Sequence, residues 1–329
     1  MAVETTTSQG GIVDLSVMPK SRSLGAEAAG RLFKNKAAIF GIMVIVFFIF
    51  VAIFAPLLAP HDPLKIHSGK SFLPPAWVKE STTGKSGDPA FILGTDTLGR
   101  DVLSRVIYGA RVSMIVGFLP TMVILIVGTT VGMIAGFLGG RTDNYLMRLT
   151  DVIYAFPDLL FFIIVMVALR DTAIGQLLNG LFLLFIALAI VNWVGTARLV
   201  RGQVLSLKQK EFIEAARSIG AKSPRIMKRH LLPNTVGVLV VSAAFLIPGL
   251  IITEAILGYL GLGLRPATNS DSFFITSWGA LLLEGQTAIN AQPWMLLAPA
   301  ICIALVVLAF TFLGDGLRDA LDPRMRGTQ

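Results

Sequence analysis

Cysteine is almost absent: the 329 residues hold one, Cys302, set inside an apolar run. No intrachain disulfide is possible, and the thiol reads as a small apolar residue in a helix. Charge is scarce as well, with Asp, Glu, Lys and Arg making up 15% of the chain, too little for a soluble protein of this length. No Gly-x-x-x-x-Gly-Lys-Ser/Thr loop occurs, so the common cradle for nucleotide phosphates is missing. The three histidines, His61, His67 and His230, are not spaced as His-Glu-x-x-His. Gly314-Asp315 follows Leu313, which breaks the Gly-x-Gly-Asp pattern of an intramembrane aspartyl protease. A membrane-embedded enzyme therefore finds no support, and no metal site is expected. What the chain has in abundance is hydrocarbon: 54% hydrophobic residues and a mean hydropathy of +0.74, which predict an all-α integral membrane protein. The net charge of +8 fits the Lys and Arg that membrane proteins gather in cytoplasmic loops, and no nucleic-acid partner is expected.

A span needs roughly 20 apolar residues to cross about 30 Å of hydrocarbon. Six segments qualify, at 37–59 and at about 113–137, 152–169, 178–197, 235–257 and 294–313. The first starts too late and runs too long for a signal-peptide core. With the N-terminus cytoplasmic, nineteen of the 28 Lys and Arg residues fall inside, and seven of the other nine lie in one long outer loop, where the positive-inside rule is weakest. The predicted organisation is a cytoplasmic tail (1–36, disordered to about residue 23), a first span (37–59), an outer loop (60–111), a five-helix core (112–313) and a cytoplasmic C-terminal tail (314–329). The core includes a cytoplasmic loop at 200–233.

That loop is a crowded polar island between two apolar runs, EFIEAARSIGAKSPRIMKRHLLPN at 211–234. Phe212, Ala216 and Ile219 recur at helical spacing and predict one apolar face. Gly220 is placed to end the helix in a left-handed C-cap. Ser223 and Pro224 read as N-cap and first turn of a second helix that closes before Pro233, with Lys222, Arg225 and Arg229 spaced to meet anionic headgroups. Two readings stay open: an amphipathic loop resting on the membrane, or a docking element in which Ala215 and Ala216 keep one side thin and Glu214 supplies a charge.

Gly128, Gly132, Gly136 and Gly140 recur every fourth residue, a small-residue ridge for close helix packing, within the chain or against a partner. In LGRDVLSRVIYGAR, Leu98, Val102, Val106 and Ala110 share one helical face, and Asp101 and Arg105 are spaced to pair. This predicts an interfacial helix in the outer loop that braces the second span. Glu254 and Asp158 lie in apolar runs near the predicted outer ends of spans, Asp158 less clearly so. Each is a candidate for a pathway or gate, with a structural hydrogen bond as the competing role. Pro157 and Pro248 mark bends.

Glu214, Ala215, Ala216, Gly220, Leu232 and Pro233 resemble the EAA loop of ABC-importer permeases: Glu-Ala-Ala, three residues, Gly, eleven residues, Leu-Pro. His230 replaces the usual isoleucine, as in the peptide and nickel branch. LGTDTLGRDVLSRVIYGARVS (93–113), EAILGYLGLG (254–263), SWG (277–279), PW (293–294) and LGDGLRDALDPR (313–324) are similar to segments of the dipeptide, oligopeptide and nickel class, and favour its C-type subunit. The resemblance covers about 37–324. It implies the type I importer permease fold with six transmembrane helices, in a bacterial or archaeal inner membrane. It further implies import of dipeptides or oligopeptides by alternating access, with nickel or glutathione as the alternative cargo and an ion-coupled secondary transporter as a remote one. The partners it implies are a B-type permease, two ATP-binding subunits that hold ATP and Mg, an extracytoplasmic substrate-binding protein and lipid. No cofactor and no catalytic residue are expected on this chain.

Overall fold

The computed structural model describes residues 24–81, 84–269 and 272–321. The disordered tail expected before residue 24 lies outside the described residues, as do Arg324 and Arg326. Among the described residues every regular element is a helix, and the connections 59–101 and 260–277 are irregular, with a single antiparallel bridge between Thr95 and Asp101. The elements are α1 (Leu24–Leu32), α2 (Lys36–Ile53), α3 (Ala55–Leu58), α4 (Val102–Leu138), α5 (Gly140–Tyr154), α6 (Asp158–Leu169), α7 (Ala173–Gln176), α8 (Leu181–Leu207), α9 (Glu211–Ser218), α10 (Ser223–Ile226), α11 (Leu232–Tyr259), α12 (Trp278–Thr287) and α13 (Trp294–Leu321). A 3-10 turn at Leu177–Gly180 joins α7 to α8, and a π turn at Met227–Leu231 joins α10 to α11.

Five of these helical stretches are long and apolar enough to cross a membrane: Lys36–Ile53, Val102–Leu138, Ala173–Leu207, Ser223–Tyr259 and Trp294–Leu321. The predicted third span differs from expectation. Residues 152–169 do not form one rod, because α5 ends at Tyr154 and α6 departs from it at 76°. Pro157, which has no N–H to continue the ladder, stands at the N-cap of α6 and accounts for the break. Alone, α6 has 12 residues, about 18 Å of helix, which falls short of a bilayer. Pro248, by contrast, sits inside α11 without ending it.

The first span falls short of its expected 37–59: α2 ends at Ile53, and Pro56 in the first turn of α3 marks the break after Phe54. The other four outrun the apolar stretches that predict them. Hydropathy marks the hydrocarbon, whereas the backbone ladder propagates until something stops it. The last helix therefore continues through 314–321, residues expected in the tail, and α8 reaches Leu207 inside the expected cytoplasmic loop. At its other end α4 starts at Val102, capped by the Asp101 carboxylate, which accepts from the Ser104 N–H at 3.0 Å.

The predicted interfacial helix is thus the first turns of α4, and it is buried in protein rather than laid on a surface. Val102, Val106 and Ala110 enter a core with Trp278, Ile45 and Phe48, while Leu98 precedes the helix and is exposed. Nor does Asp101 pair with Arg105. The Arg105 guanidinium, 4% exposed, reaches Asp96 Oδ2 at 2.7 Å and Glu284 Oε1 at 2.8 Å. Arg100 joins the same carboxylates at 2.6 and 3.2 Å. Two guanidiniums and two carboxylates close a network that ties the segment before Val102 to α4 and α12, and it makes an arginine within an otherwise apolar bundle tolerable.

The core forms along the contact of α4 with α8. Val112, Val116 and Ile124 of α4 meet Leu181, Leu184, Leu188 and Val194 of α8. Gly128, Gly132 and Gly136 supply the closest approach, each facing α8 at Thr196, Ala197 or Val204. The ridge is internal to the chain. Gly140 stands outside it: α4 has ended at Leu138, and Gly140, at φ +55°, starts α5 with no neighbour where a Cβ would point.

Candidate functional site

At one end of the α4–α8 pair lies the polar island. In α9 the inward residues are Ile213 and Ala216, buried against Met133, Phe137, Val200 and Val204. The predicted apolar face is therefore split. Ala216 points in, whereas Phe212 and Ile219 are exposed, Ile219 at 85%. Rotating the stripe puts Phe212, Ala215 and Ile219 together on the outward side with Glu211 and Glu214, an apolar strip with acidic flanks that the rest of the described chain leaves uncovered. Inside, the Arg217 guanidinium lies 5.6 Å from the Phe137 ring, and Lys208 Nζ donates to the Gly136 carbonyl at 3.0 Å, capping the end of α4.

Gly220 ends α9. Its φ of +78° is cheap for glycine and costly for a Cβ-bearing residue. The turn it makes lets the Ala221 N–H reach the Ala216 carbonyl at 3.0 Å and its own N–H reach Arg217 at 2.9 Å, the paired bonds of a Schellman-type closure. The next helix begins one residue earlier than expected, with Lys222 at the N-cap and Pro224 in the first turn. It also does not close before Pro233. It passes through the π turn into α11, whose first turn holds Leu232 and Pro233. A proline in the first turn lacks only an N–H that the helix start leaves unbonded, so it opens α11 at little cost. Pro224, Arg225, Lys228, Arg229 and Pro233 line an open cleft of about 600 Å³.

The two intramembrane carboxylates have different surroundings. Glu254, 1% exposed, is sealed between α4, α11 and α12: Ser113 Oγ donates to its Oε2 at 3.2 Å, and the Trp278 N–H donates to Ser113 Oγ at 3.4 Å. Among the described residues its other oxygen has no partner at hydrogen-bond distance. Asp158 is exposed and lines a cleft of about 350 Å³ with Tyr154, Asn192, Thr196, Ser242, Val191 and Phe245. It stands beside mid-helix residues of α8 and α11, not at the outer end of a span. The Asn192 amide donates to the Leu188 carbonyl at 2.9 Å. Just beyond Tyr154, Arg198 holds Asp151 at 2.8 Å and lies 4.5 Å from the Tyr154 ring, and Arg201 grips Asp143 at 2.5 and 2.6 Å.

Several of these residues escape a reading of sequence pattern. Ile213 is the inward anchor of α9, yet a wheel drawn through Phe212 and Ile219 misplaces it. Asn192 and Ser242 could have been noticed as isolated polar residues in apolar runs. The join of Arg105 to Glu284 spans 179 positions, and no local spacing signals it.

Comparison with known proteins agrees along nearly the whole chain. Residues 128–327 match the family described as binding-protein-dependent transport system inner membrane component. Residues 23–75 match the N-terminal transmembrane domain of oligopeptide transport permease C. The oligopeptide transport system permease protein OppC of Bacillus subtilis (strain 168) is 40% identical over 310 residues, 94% of this chain and 93% of that protein. The dipeptide transport system permease protein DppC of the same organism is 38% identical, covering 94% and 89%. OppC of Escherichia coli (strain K12) is 39% identical, covering 93% of each. Among solved structures, a chain of the inward-facing MetNI methionine ABC transporter superposes with a TM-score of 0.50 at 16% identity, over 67% of this chain and 96% of that one, a likeness of fold.

Proposed function

The chain belongs to the family of binding-protein-dependent transport system inner membrane components, and on that premise we propose that it is the C-type permease of an ATP-driven peptide importer. Its cargo is a dipeptide or oligopeptide, as the names of its relatives suggest. It crosses an inner membrane six times, the bent pair α5 and α6 forming the third crossing, with both ends in the cytoplasm. A B-type permease completes the passage, an outer binding protein delivers cargo, and two ATPase subunits bind ATP and Mg and carry out hydrolysis. This chain supplies the path and the coupling surface.

The observation that carries the proposal is the outward strip of α9. A helix outside the spans buries Ile213 and Ala216 in its own subunit yet presents Phe212, Ala215 and Ile219 to the outside. Uncovered apolar side chains beside carboxylates mark a protein partner better than a water-facing loop. Glu211 and Glu214 set the sign of that partner's complementary surface. On this reading Glu214, Ala215 and Gly220 make or shape the contact, Ala216 seats the helix, and Leu232 and Pro233 carry the motion into α11.

Glu214→Lys tests it in the reconstituted transporter. Reversal of charge at a close interfacial pair costs several kcal/mol of association, so the ATPases should be lost on purification or ATP hydrolysis should proceed without uptake. A loop resting on lipid predicts the opposite: slightly tighter binding to anionic membrane and unchanged transport. Wild-type uptake with full recovery of the ATPases would overturn the assignment.

A further inference from the structure

The exposed carboxylate of Asp158 lies where hydrocarbon would be expected. Asn192 falls inside the apolar run 178–197 and Ser242 inside 235–257, roughly 8–11 Å from the ends that lead to the polar island, so both lie within the apolar depth. Tyr154 and Thr196 join them around one cleft of about 350 Å³, with Val191, Phe245 and Leu246 as its apolar lining. Facing lipid, such a group of polar side chains with an ionised carboxylate would be strongly disfavoured, so the cleft must open onto water or protein. Asp158 begins α6, and stabilising that helix end is its minimal role. That role explains one residue. It does not explain why polar groups from the end of α5, from α8 and from α11 converge on the same space.

The charge balance of the cleft is lopsided. Among the described residues Asp158 makes no ion pair, and the nearby Arg198 is committed to Asp151 and to the Tyr154 ring. A half-polar, half-apolar cleft with one unpaired anion suits a ligand end that carries a cation next to a side chain of variable character. We infer that this cleft is a station on the passage that takes an ammonium group of the cargo. Asp158 is the counter-charge, Asn192 and Ser242 are neutral hydrogen-bond partners, and Val191, Phe245 and Leu246 are the contact for an apolar side chain. The inference rests on the peptide-importer reading and adds a site to it. The ammonium can come from a peptide's free amino terminus or from a lysine side chain, and the chemistry at Asp158 is the same.

The test uses the whole transporter in vesicles without binding protein, with cysteine-free partner subunits and Cys302→Ser in this chain. ATP-driven uptake by that parent, once binding protein is supplied, checks the underlying reading separately. With Ser242→Cys added, two methanethiosulfonates of similar size, one carrying an ammonium and one a sulfonate, report the field in the cleft. The ammonium reagent should react about tenfold faster, and Asp158→Asn should bring the two rates to within about twofold. A free-amino dipeptide at about four times its half-protecting concentration should slow labelling about fivefold, as single-site occupancy requires. The N-acetylated dipeptide should not protect. Protection by an N-acetylated peptide that contains lysine would support the ammonium site and assign it to the side chain. A thiol at 242 that neither reagent reaches, equal rates with Asp158 intact, or equal protection by N-acetylated peptides without lysine would overturn the inference even where the parent transports normally.

Discussion

A methyl group added to Gly132 would sit 2.3 Å from the carbonyl oxygen of Ala197, so α4 and α8 touch backbone to backbone. Gly132→Val should force the pair apart at a cost of about 1–3 kcal/mol, the usual penalty of overpacking. Thermal unfolding of the purified transporter reads this directly. Gly202→Ala, at a helical glycine with open space around it, is the control and should hold or slightly raise stability. Equal stability for both variants would show that the ridge is not a packing surface.

Arg105 should tolerate substitution poorly, because Asp96 and Glu284 would then share the single guanidinium of Arg100. Asp96 is 1% exposed and already accepts from the Leu98 and Arg100 N–H groups at 2.9 Å each. Arg105→Leu leaves the buried Asp96 and its neighbour Glu284 with Arg100 as their one guanidinium, and removal of a partner from a buried charge network costs up to about 3–5 kcal/mol. Arg105→Lys should rescue little, because a single ammonium cannot reproduce the fork that meets two carboxylates. Yield of folded protein in the membrane is the readout, and wild-type yield for Arg105→Leu would contradict the network's importance.

Gly220→Val should misplace α9 while leaving the spans inserted. A position at φ +78° penalises a side chain by about 1 kcal/mol or more, although no neighbour crowds it. The expected signature is normal membrane insertion with uptake and ATP hydrolysis uncoupled. Fully coupled transport would mean that the turn does not set the docking angle.

The proposed topology can be checked with exposed serines on either side. Ser86 and Ser206 are both exposed, so cysteines introduced there on a Cys302→Ser background should react with an impermeant thiol reagent at 86 and not at 206 in intact cells. The reverse pattern would invert the chain.

Sequence pattern reveals the apolar rods and the glycine turn because both are local. A run of hydrocarbon or a glycine six residues after a glutamate needs no knowledge of neighbours. Segment 98–111 misleads because Arg100 and Arg105 count as surface residues until Glu284 is brought to them from far along the chain, and Arg111 until the carbonyls of Ala52 and Ile53 are. The break at Pro157 is legible as a bend, but not as 76°, which depends on how Phe162 and Met166 of α6 pack against α8. Asp158 and Glu254 look alike in sequence, two acids in apolar runs. Only tertiary packing separates the sealed one from the one in an open cleft.

From Ser223 the chain runs to Tyr259 as one stretch of 37 residues, roughly 55 Å at helical rise. The π turn at Met227–Leu231 adds a slight overhang without interrupting it, and the stretch is joined to α9 by the short turn around Gly220 and by Ile226 and Leu231 packed with Ile213 and Ala216. Because the helix runs on through Pro248 without ending, such a spoke magnifies angle into distance. A tilt of about 5° at the end near α9 would sweep the far end through about 5 Å, given that length. The far end is where Gly258 meets the backbone of Gly279 at the start of α12, and that segment is in turn fastened through Glu284 to Arg105. A displacement too small to break any contact at α9 would therefore reach the opposite side of the bilayer as a shift of about one side chain's width.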